Sequence, residues 1–433
     1  MTRGVCRSYL SFLLFSIVAA ASFAASANAD GPSPLDQAVD DLVQSASVLN
    51  LEQPPAPLPV QPPARPDAGE AEVRPPAAVE RRPSVPGRDA RLLAALFRRT
   101  PQSRPSDRLA GTPSMFGDFF NIGGDVFVDL GGVAAQADLP LAAGCRRMKA
   151  CEDNQALTRD RVFLWYNRFD DALEATVTAP NAVADRFAVD RFTLGFEKTL
   201  LDGRWSMEVR MPLADDMQFA TADFGISGGS VGNLAVLLKR MLYESEWAAF
   251  SAGLGIDIPT GSDAQGYVTG PTDFTLQNQA VHLMPFLALT GAPSDCFFYH
   301  AFLQIDVPAN GNRVDRDGAT VGVLQEQTLL YADIGVGAWL YRNPHDRYLT
   351  GLAALLELHY TGTLQDSDIV APLVDRLEFG NFANRVDVVN CTAGLHLNVT
   401  EMTVCRMGVA APLTQDDNRV FDFEVLVQLE RRF

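Results

Sequence analysis

The last thirteen residues, Phe421 to Phe433, constrain the chain more than any other stretch. Phe421, Phe423, Val425, Val427, Leu429 and Phe433 fall on one parity, and Asp422, Glu424, Gln428, Glu430 and Arg432 on the other, so an extended chain has an oily face and a polar face. A strand of this length ending on Phe suits the closing strand of a membrane β-barrel, where lipid-facing and lumen-facing residues alternate. An ordinary half-buried strand of a soluble sandwich carries the same pattern. The rest of the chain has to choose between them.

The N-terminus bears on the compartment. Arg3 and Arg7 precede an apolar run from Tyr9 to about Ala25, and Ala27-Asn28-Ala29 before Asp30 has the small-residue form of a cleavage site, so residues 1–29 read as a secretory signal peptide. Cys6 lies before the apolar run, out of place for lipid attachment, and Arg3 and Arg7 are not a twin-Arg pair. Beyond this peptide no apolar run reaches the roughly 18 residues of a spanning helix, so a membrane form of this chain has to be a barrel. A net charge of −18 argues against a nucleic-acid partner.

Residues 30–108 read as a disordered, proline-rich arm with short helices. Pro54 to Pro86 holds 11 of the chain's 27 prolines, and Leu35, Val39, Leu42 and Val43 before it, like the run Arg88 to Arg99 after it, have helical spacing. Residues 109–158 read as a pre-barrel or plug segment. From 159 to 433 the pattern becomes regular, with candidate strands at Arg161–Phe169, Asp190–Leu200, Arg204–Leu213, Gly232–Leu242, Trp247–Ile258, Ala280–Thr290, Phe297–Val307, Leu329–Tyr341, Gly351–Thr361, Arg385–Val399, Met402–Ala411 and Phe421–Phe433. Their lengths suit tilted strands crossing a bilayer. The connections alternate short and long, and the longer ones are rich in Asp, Gly, Asn and Thr, as in outer-membrane barrels, whose short turns are periplasmic. The expectation is an all-β chain, an antiparallel transmembrane barrel of about twelve strands, with the arm in the periplasm.

Parity alone does not say which face points inward; a soluble barrel hides its apolar face inside. The signal peptide, the strand lengths and the terminal Phe place lipid outside. The lumen candidates on the polar parity are then Glu208, Arg210, Asp257, His300, Asp306, Asp333, Glu357, His359, Arg406 and Glu424, with Glu197, Glu430, Arg191, Lys239 and Arg432 beside them. An acid-rich wall favours cations or neutral solutes in an open pore; in a narrow one the same charges pair across strands and close it. An enzyme needs a nucleophile beside a base and an orienting group, and no G-x-S-x-G is present. His300 with Asp306, and Glu357 with His359, have a spacing that any polar strand face shows. No cofactor is expected, and no cluster has metal-ligand spacing. Cys145 and Cys151, six apart, are expected to close a small disulfide loop in an oxidising compartment. Cys391 and Cys405 share a parity on consecutive strands and are a register-dependent cross-strand pair; the connectivity of these two and of Cys296 is left open.

The segments G-D-F-F at Gly117–Phe120, P-L-A-A-G-C-R-R-M-K at Pro140–Lys149, D-R-V-F-L-W-Y-N at Asp160–Asn167 and G-L-G-I-D-I-P-T-G at Gly253–Gly261 resemble exported barrel-type proteins of the MetA-pathway phenol-degradation family. That resemblance covers roughly Gly117 to Phe433 and implies an outer-membrane channel or transporter for small, often aromatic compounds, with no catalytic motif to carry over. The expected function is a passive, transporter-like pore. The expected partners are outer-membrane lipid, the barrel-assembly machinery through the C-terminal strand, and a small-molecule solute. The alternatives are a structural anchor with a periplasmic tether and, further off, a barrel hydrolase.

Overall fold

A computed structural model describes residues 107–118, 124–215, 217–268, 272–371, 376–415 and 418–433. The signal peptide and the proline-rich arm read from the sequence lie outside the described residues.

Two strands, β1 (Asp125–Leu130) and β2 (Val133–Asp138), form a hairpin ahead of the wall. Gly131 and Gly132 turn it with φ of +54° and +86°, the left-handed pair that a two-residue hairpin turn demands. The wall is twelve antiparallel strands. These are β3 (Arg161–Ala179), β4 (Val183–Leu200), β5 (Trp205–Ala214), β8 (Leu234–Glu244), β9 (Ala248–Ile258) and β12 (His282–Gly291). They continue as β13 (Phe297–Pro308), β16 (Leu329–Arg342), β17 (Gly351–Thr363), β20 (Asp387–Asn398), β21 (Thr403–Pro412) and β22 (Phe423–Arg432). Each pairs with its sequence neighbour in the wall, and β22 pairs with β3 from Phe423 opposite Asp170 to Arg432 opposite Arg161, so the ring closes without an edge. The candidate strands of the sequence coincide with these twelve, apart from shifts at their ends.

Burial resolves the choice that parity left open. On the wall the large apolar residues of the oily parity are exposed, Ile334 at 58% and Leu194 at 52%, with Leu254, Leu287, Leu303, Leu358 and Leu429 on other strands. The opposite parity, charged residues included, is buried. That is an apolar outside and a polar inside, the arrangement for a bilayer. Tyr243, Trp247, Tyr341, Tyr348 and Phe433 stand exposed at the end with the short turns, as an interfacial aromatic girdle does. Among the described residues no helix is long and apolar enough to cross a membrane.

At the opposite end the sequence reading needs correction. Five of the six longer connections, read as loops, contain strands. β3 and β4 run on past the wall as one long hairpin, and the others hold β6 (Gln218–Ala220) with β7 (Phe224–Gly228), β10 (Ala264–Val268) with β11 (Thr272–Leu276), β14 (Asn312–Arg316) with β15 (Ala319–Leu324), and β18 (Ile369–Val370) with β19 (Arg376–Gly380). β6, β7, β10, β11, β14 and β15 join as a six-stranded sheet, while β1 pairs with β19, and β2 with the far end of β3. Their inner faces bury Val126, Val128, Phe224, Phe274, Leu324 and Phe379 in one apolar cluster, which repays the ordering of these connections. The strands were missed because each is only two to six residues long.

Residues 109–118 and 139–160 run inside the wall. The first leg starts near the short turns, where Arg108 pairs with Asp295 at 2.7 Å. It climbs through Met115, Phe116 and Asp118, all buried, and β1 and β2 lie at the far end. The second leg starts there too, with Ala142 N–H donating to Ser262 O and Asn233 N–H to Cys145 O, and descends until Thr158 bonds Gly203 O in the first short turn. The two legs touch midway: Met115 N–H donates to Asn154 O at 2.9 Å and Asp153 N–H to Phe116 O at 3.3 Å. Gly117, at φ +89°, lies where a Cβ would come within 2.6 Å of Glu152 Cγ, so the legs can approach this closely only over a glycine.

Candidate functional site

The lumen and the hairpin threaded through it form one polar network in three tiers. Nearest the short turns, the Arg161 guanidinium at the foot of β3 meets four carboxylates: Asp153 at 2.9 Å, Glu197 at 2.9 Å, Glu430 at 3.0 Å and Glu208 at 3.3 Å. Asp153 belongs to the descending leg and also takes the Trp165 indole N–H at 2.9 Å and the Arg406 guanidinium. Lys239 Nζ reaches Glu197 at 3.1 Å and the leg's Asn154 Oδ1 at 2.8 Å. A wall strand can place such long side chains together because alternate residues all face inward.

In the middle tier the wall grips the backbone of both legs. Glu357 on β17 accepts the Phe116 and Gly117 N–H groups at 2.8 and 3.2 Å. His359, two residues on, bridges Glu357 at 3.1 Å and Asp333 on β16 at 2.9 Å. Lys149 Nζ joins Asp118 of the other leg at 2.7 Å to Asp333 at 3.1 Å. Arg210 donates to Lys149 O at 2.7 Å and Glu152 O at 2.9 Å, and Gln304 holds Ala150 N–H and Met148 O. Phe116 packs where β20 and β21 carry Gly394 and Gly408; a Cβ on Gly394 would lie 2.6 Å from its ring.

In the far tier Arg146 and Arg147 of the descending leg pair with Glu326 at 3.3 and 2.9 Å, and His282 Nδ1 lies 2.8 Å from Asp306. The leg thus carries Arg146, Arg147 and Lys149 to wall and loop acids that would otherwise be buried unpaired at a cost of several kcal/mol each.

All ten lumen candidates of the sequence are buried inside the ring. Arg210, Asp306, Asp333, Glu357, His359 and Arg406 reach the hairpin directly, and Glu208 stands behind them on Arg161 and Arg210. Asp306 faces His282 and not His300, whose Nδ1 lies 3.1 Å from Thr290. Glu424 bonds Asn167 at 2.7 Å, and both Asp257 oxygens lack a hydrogen-bond partner among the described residues. Sequence reasoning missed the hairpin's half of the network: Asp118, Arg147, Lys149, Glu152 and Asp153. For the last four the signal is the density of charge in R-R-M-K-A-C-E-D-N, between apolar neighbours; Asp118, in G-D-F-F, has none.

The cysteine pairs need correction. Cys145 and Cys151 are free and buried in different surroundings, Cys145 beside Phe169, Val189 and Ala214, and Cys151 in the cluster of Met115 and Phe116. The leg between them is occupied in gripping the wall at successive tiers and does not close a loop. Cys391 and Cys405 are also free, because the register sets Cys391 opposite Ala411 and Cys405 opposite Leu397. Cys151, Asp333 and His359 place ligand atoms within 4.8 Å of one another. Lys149 already neutralises Asp333 there and both His359 nitrogens face carboxylates, so the group is complete as an ion-pair network.

No family model matches the chain, and no curated protein matches it. Among solved structures it is similar to an outer-membrane channel from Pseudomonas putida F1, at 14% identity and a TM-score of 0.42, covering 65% of this chain and 98% of that one. It is similar to the translocator domain of an autotransporter from Neisseria meningitidis at 7% identity and a TM-score of 0.39, covering 65% and 90%. A toluene transporter from Ralstonia pickettii matches at 9% identity and a TM-score of 0.30, covering 68% and 98%.

Proposed function

We propose that this chain is an outer-membrane β-barrel of the channel type for small solutes, whose own hairpin occupies the pore at rest. The observation that carries the reading is a closed ring, apolar outside, whose lumen holds two legs of the same chain gripped by ion pairs and hydrogen bonds. Contacts of this kind exchange for water when the legs shift, whereas an all-apolar filling has no such substitute. The short turns then face the periplasm, the arm of residues 30–108 lies on that side, and the strand Phe421–Phe433 is the part offered to the barrel-assembly machinery. Cationic or neutral solutes, aromatic ones included, are the substrate class that the acid-rich wall and the family resemblance favour. The occupation of the lumen by these two legs favours a second reading, a barrel that anchors a periplasmic arm.

Single-channel recording in planar bilayers tests the proposal, with the parent beside Glu357→Ala and Asp333→Ala. The expected result is a parent that conducts rarely, and variants whose open fraction rises about tenfold, the equivalent of losing one charged hydrogen bond of about 1.5 kcal/mol. Barrels that insert and stay silent in all three forms overturn the channel reading in favour of the anchor.

A further inference from the structure

The tip of the threaded hairpin forms one wall of a cavity of about 830 Å³ that the lumen's polar network does not use. This is within the usual size of small-ligand sites, roughly 300–1,000 Å³. β1 and β2 supply Asp125, Phe127 and Asp138; the extension of β3 supplies Asp171 and Glu174; Phe382 and Asp422 come from neighbouring connections. The geometry points to a docking site for a small organic cation, an ammonium group on an aromatic or short aliphatic body. The inference names the solute class for the proposed pore, and rests on that reading for any passage of the bound solute through the barrel.

Asp125 and Asp138 stand directly opposite one another across the hairpin. Two carboxyls so placed are kept from repelling by a proton held in the hydrogen bond between them, and a positive group in the cavity takes over that role. Asp125 accepts the Phe382 N–H at 3.3 Å and Asp138 the Glu174 N–H at 2.6 Å, the two carboxyls hydrogen-bond each other, and the Arg146 guanidinium acts on Asp125 from a distance, so neither carboxyl has a direct ion pair with a Lys or Arg among the described residues. The guanidiniums on the rim are otherwise engaged, Arg186 with Asp171 at 3.7 Å and Glu174 at 3.5 Å, and Arg419 with Asp422. Burial pushes the Asp138 carboxyl well above the usual carboxylate range, with Asp125 adding to it, and burial raises Asp125 as well. Beside the pair the Phe127 and Phe382 rings meet edge to face at 6.4 Å, offering a surface for an aromatic body, and the Arg376 guanidinium already lies 5.5 Å from the Phe127 centroid. An occupant here touches both the hairpin tip and the connections at this end of the barrel, so its binding bears on the plug.

The test is titration calorimetry on the refolded full-length protein in detergent, with benzylammonium, benzyl alcohol and benzoate as probes of one shape and three charges. Benzylammonium is expected to bind saturably, one per chain, at least tenfold tighter than the other two. Asp125→Asn with Asp138→Asn is expected to weaken it at least tenfold, with the folded barrel confirmed by its resistance to SDS before heating. Equal binding of the three probes by the parent, or unchanged benzylammonium binding by the double variant, overturns the site. Uptake into liposomes separates the two proposals. Binding without uptake of any probe leaves the site standing and removes the pore, while uptake of the neutral probe without benzylammonium binding removes the site and leaves the pore.

Discussion

The wall and the hairpin inside it are built on opposite principles. Each wall strand lies between two environments and is fixed by a backbone ladder, ten residue pairs between β22 and β3 alone. The hairpin's legs lie in one environment, share the two midway backbone hydrogen bonds of Met115 and Asp153, meet the surrounding backbone at Ala142, Cys145 and Asp160, and are held between these points by side chains from strands around the ring. The wall's stability therefore resides in backbone pairing and in the match of its outer face to lipid, and the hairpin's position in ion pairs and hydrogen bonds together with the apolar cluster that Met115, Phe116, Met148 and Leu157 share with Phe163, Trp165, Phe298 and Trp339. Charge-removing substitutions ought to loosen the hairpin and spare the wall, except where one residue serves both.

Arg161 is that exception, and Arg161→Ala carries the largest expected effect. Removing it leaves Asp153, Glu197, Glu208 and Glu430 facing one another in a buried site, a loss of about 3–5 kcal/mol. The urea midpoint of the detergent-folded barrel, followed by tryptophan fluorescence, is expected to fall clearly; an unchanged midpoint would show that the lumen charges do not support the wall.

Glu357→Gln sharpens the contrast, since it touches only the hairpin's backbone and His359. Weakening two charge-assisted hydrogen bonds of about 1.5–3 kcal/mol each should leave the urea midpoint close to the parent's while the Phe116 and Gly117 amides exchange at least tenfold faster. Equal loosening of both regions would remove the distinction. Gly132→Ala comes next: at φ +86° an L side chain costs roughly 1–2 kcal/mol, with open space around the new methyl, so the loss is conformational and confined to the tip. Faster exchange limited to β1 and β2 is the expected outcome. The smallest effect is chemical: intact mass after alkylation under non-reducing, denaturing conditions should show Cys145 and Cys151 both labelled.

The same contrast explains what could be read from the residues. A strand between lipid and lumen must alternate, and so all twelve wall strands and all ten lumen candidates stand out in the sequence. Met115, Phe116, Gly117 and Asp118 are buried on every side, so they carry no period. Lys149, Glu152 and Asp153 look like a solvated turn until the acids and bases of the wall are arranged around them. The Cys145 and Cys151 pairing failed for the same reason: spacing suggested a loop, but the path of the leg is set by Arg210, Gln304 and Asp333, far away in sequence. The strands beyond the wall were hidden because their burial depends on one another and on the hairpin tip.

Hydrogen exchange with mass spectrometry on the folded protein, comparing the two legs with the wall, is the most direct measurement. The account predicts that amides at Met115–Gly117 and Ala150–Ala156 exchange as slowly as those of β17 and β22, since the lumen is filled by these legs. Exchange there at the rate of an open connection, with the wall still protected, would contradict it.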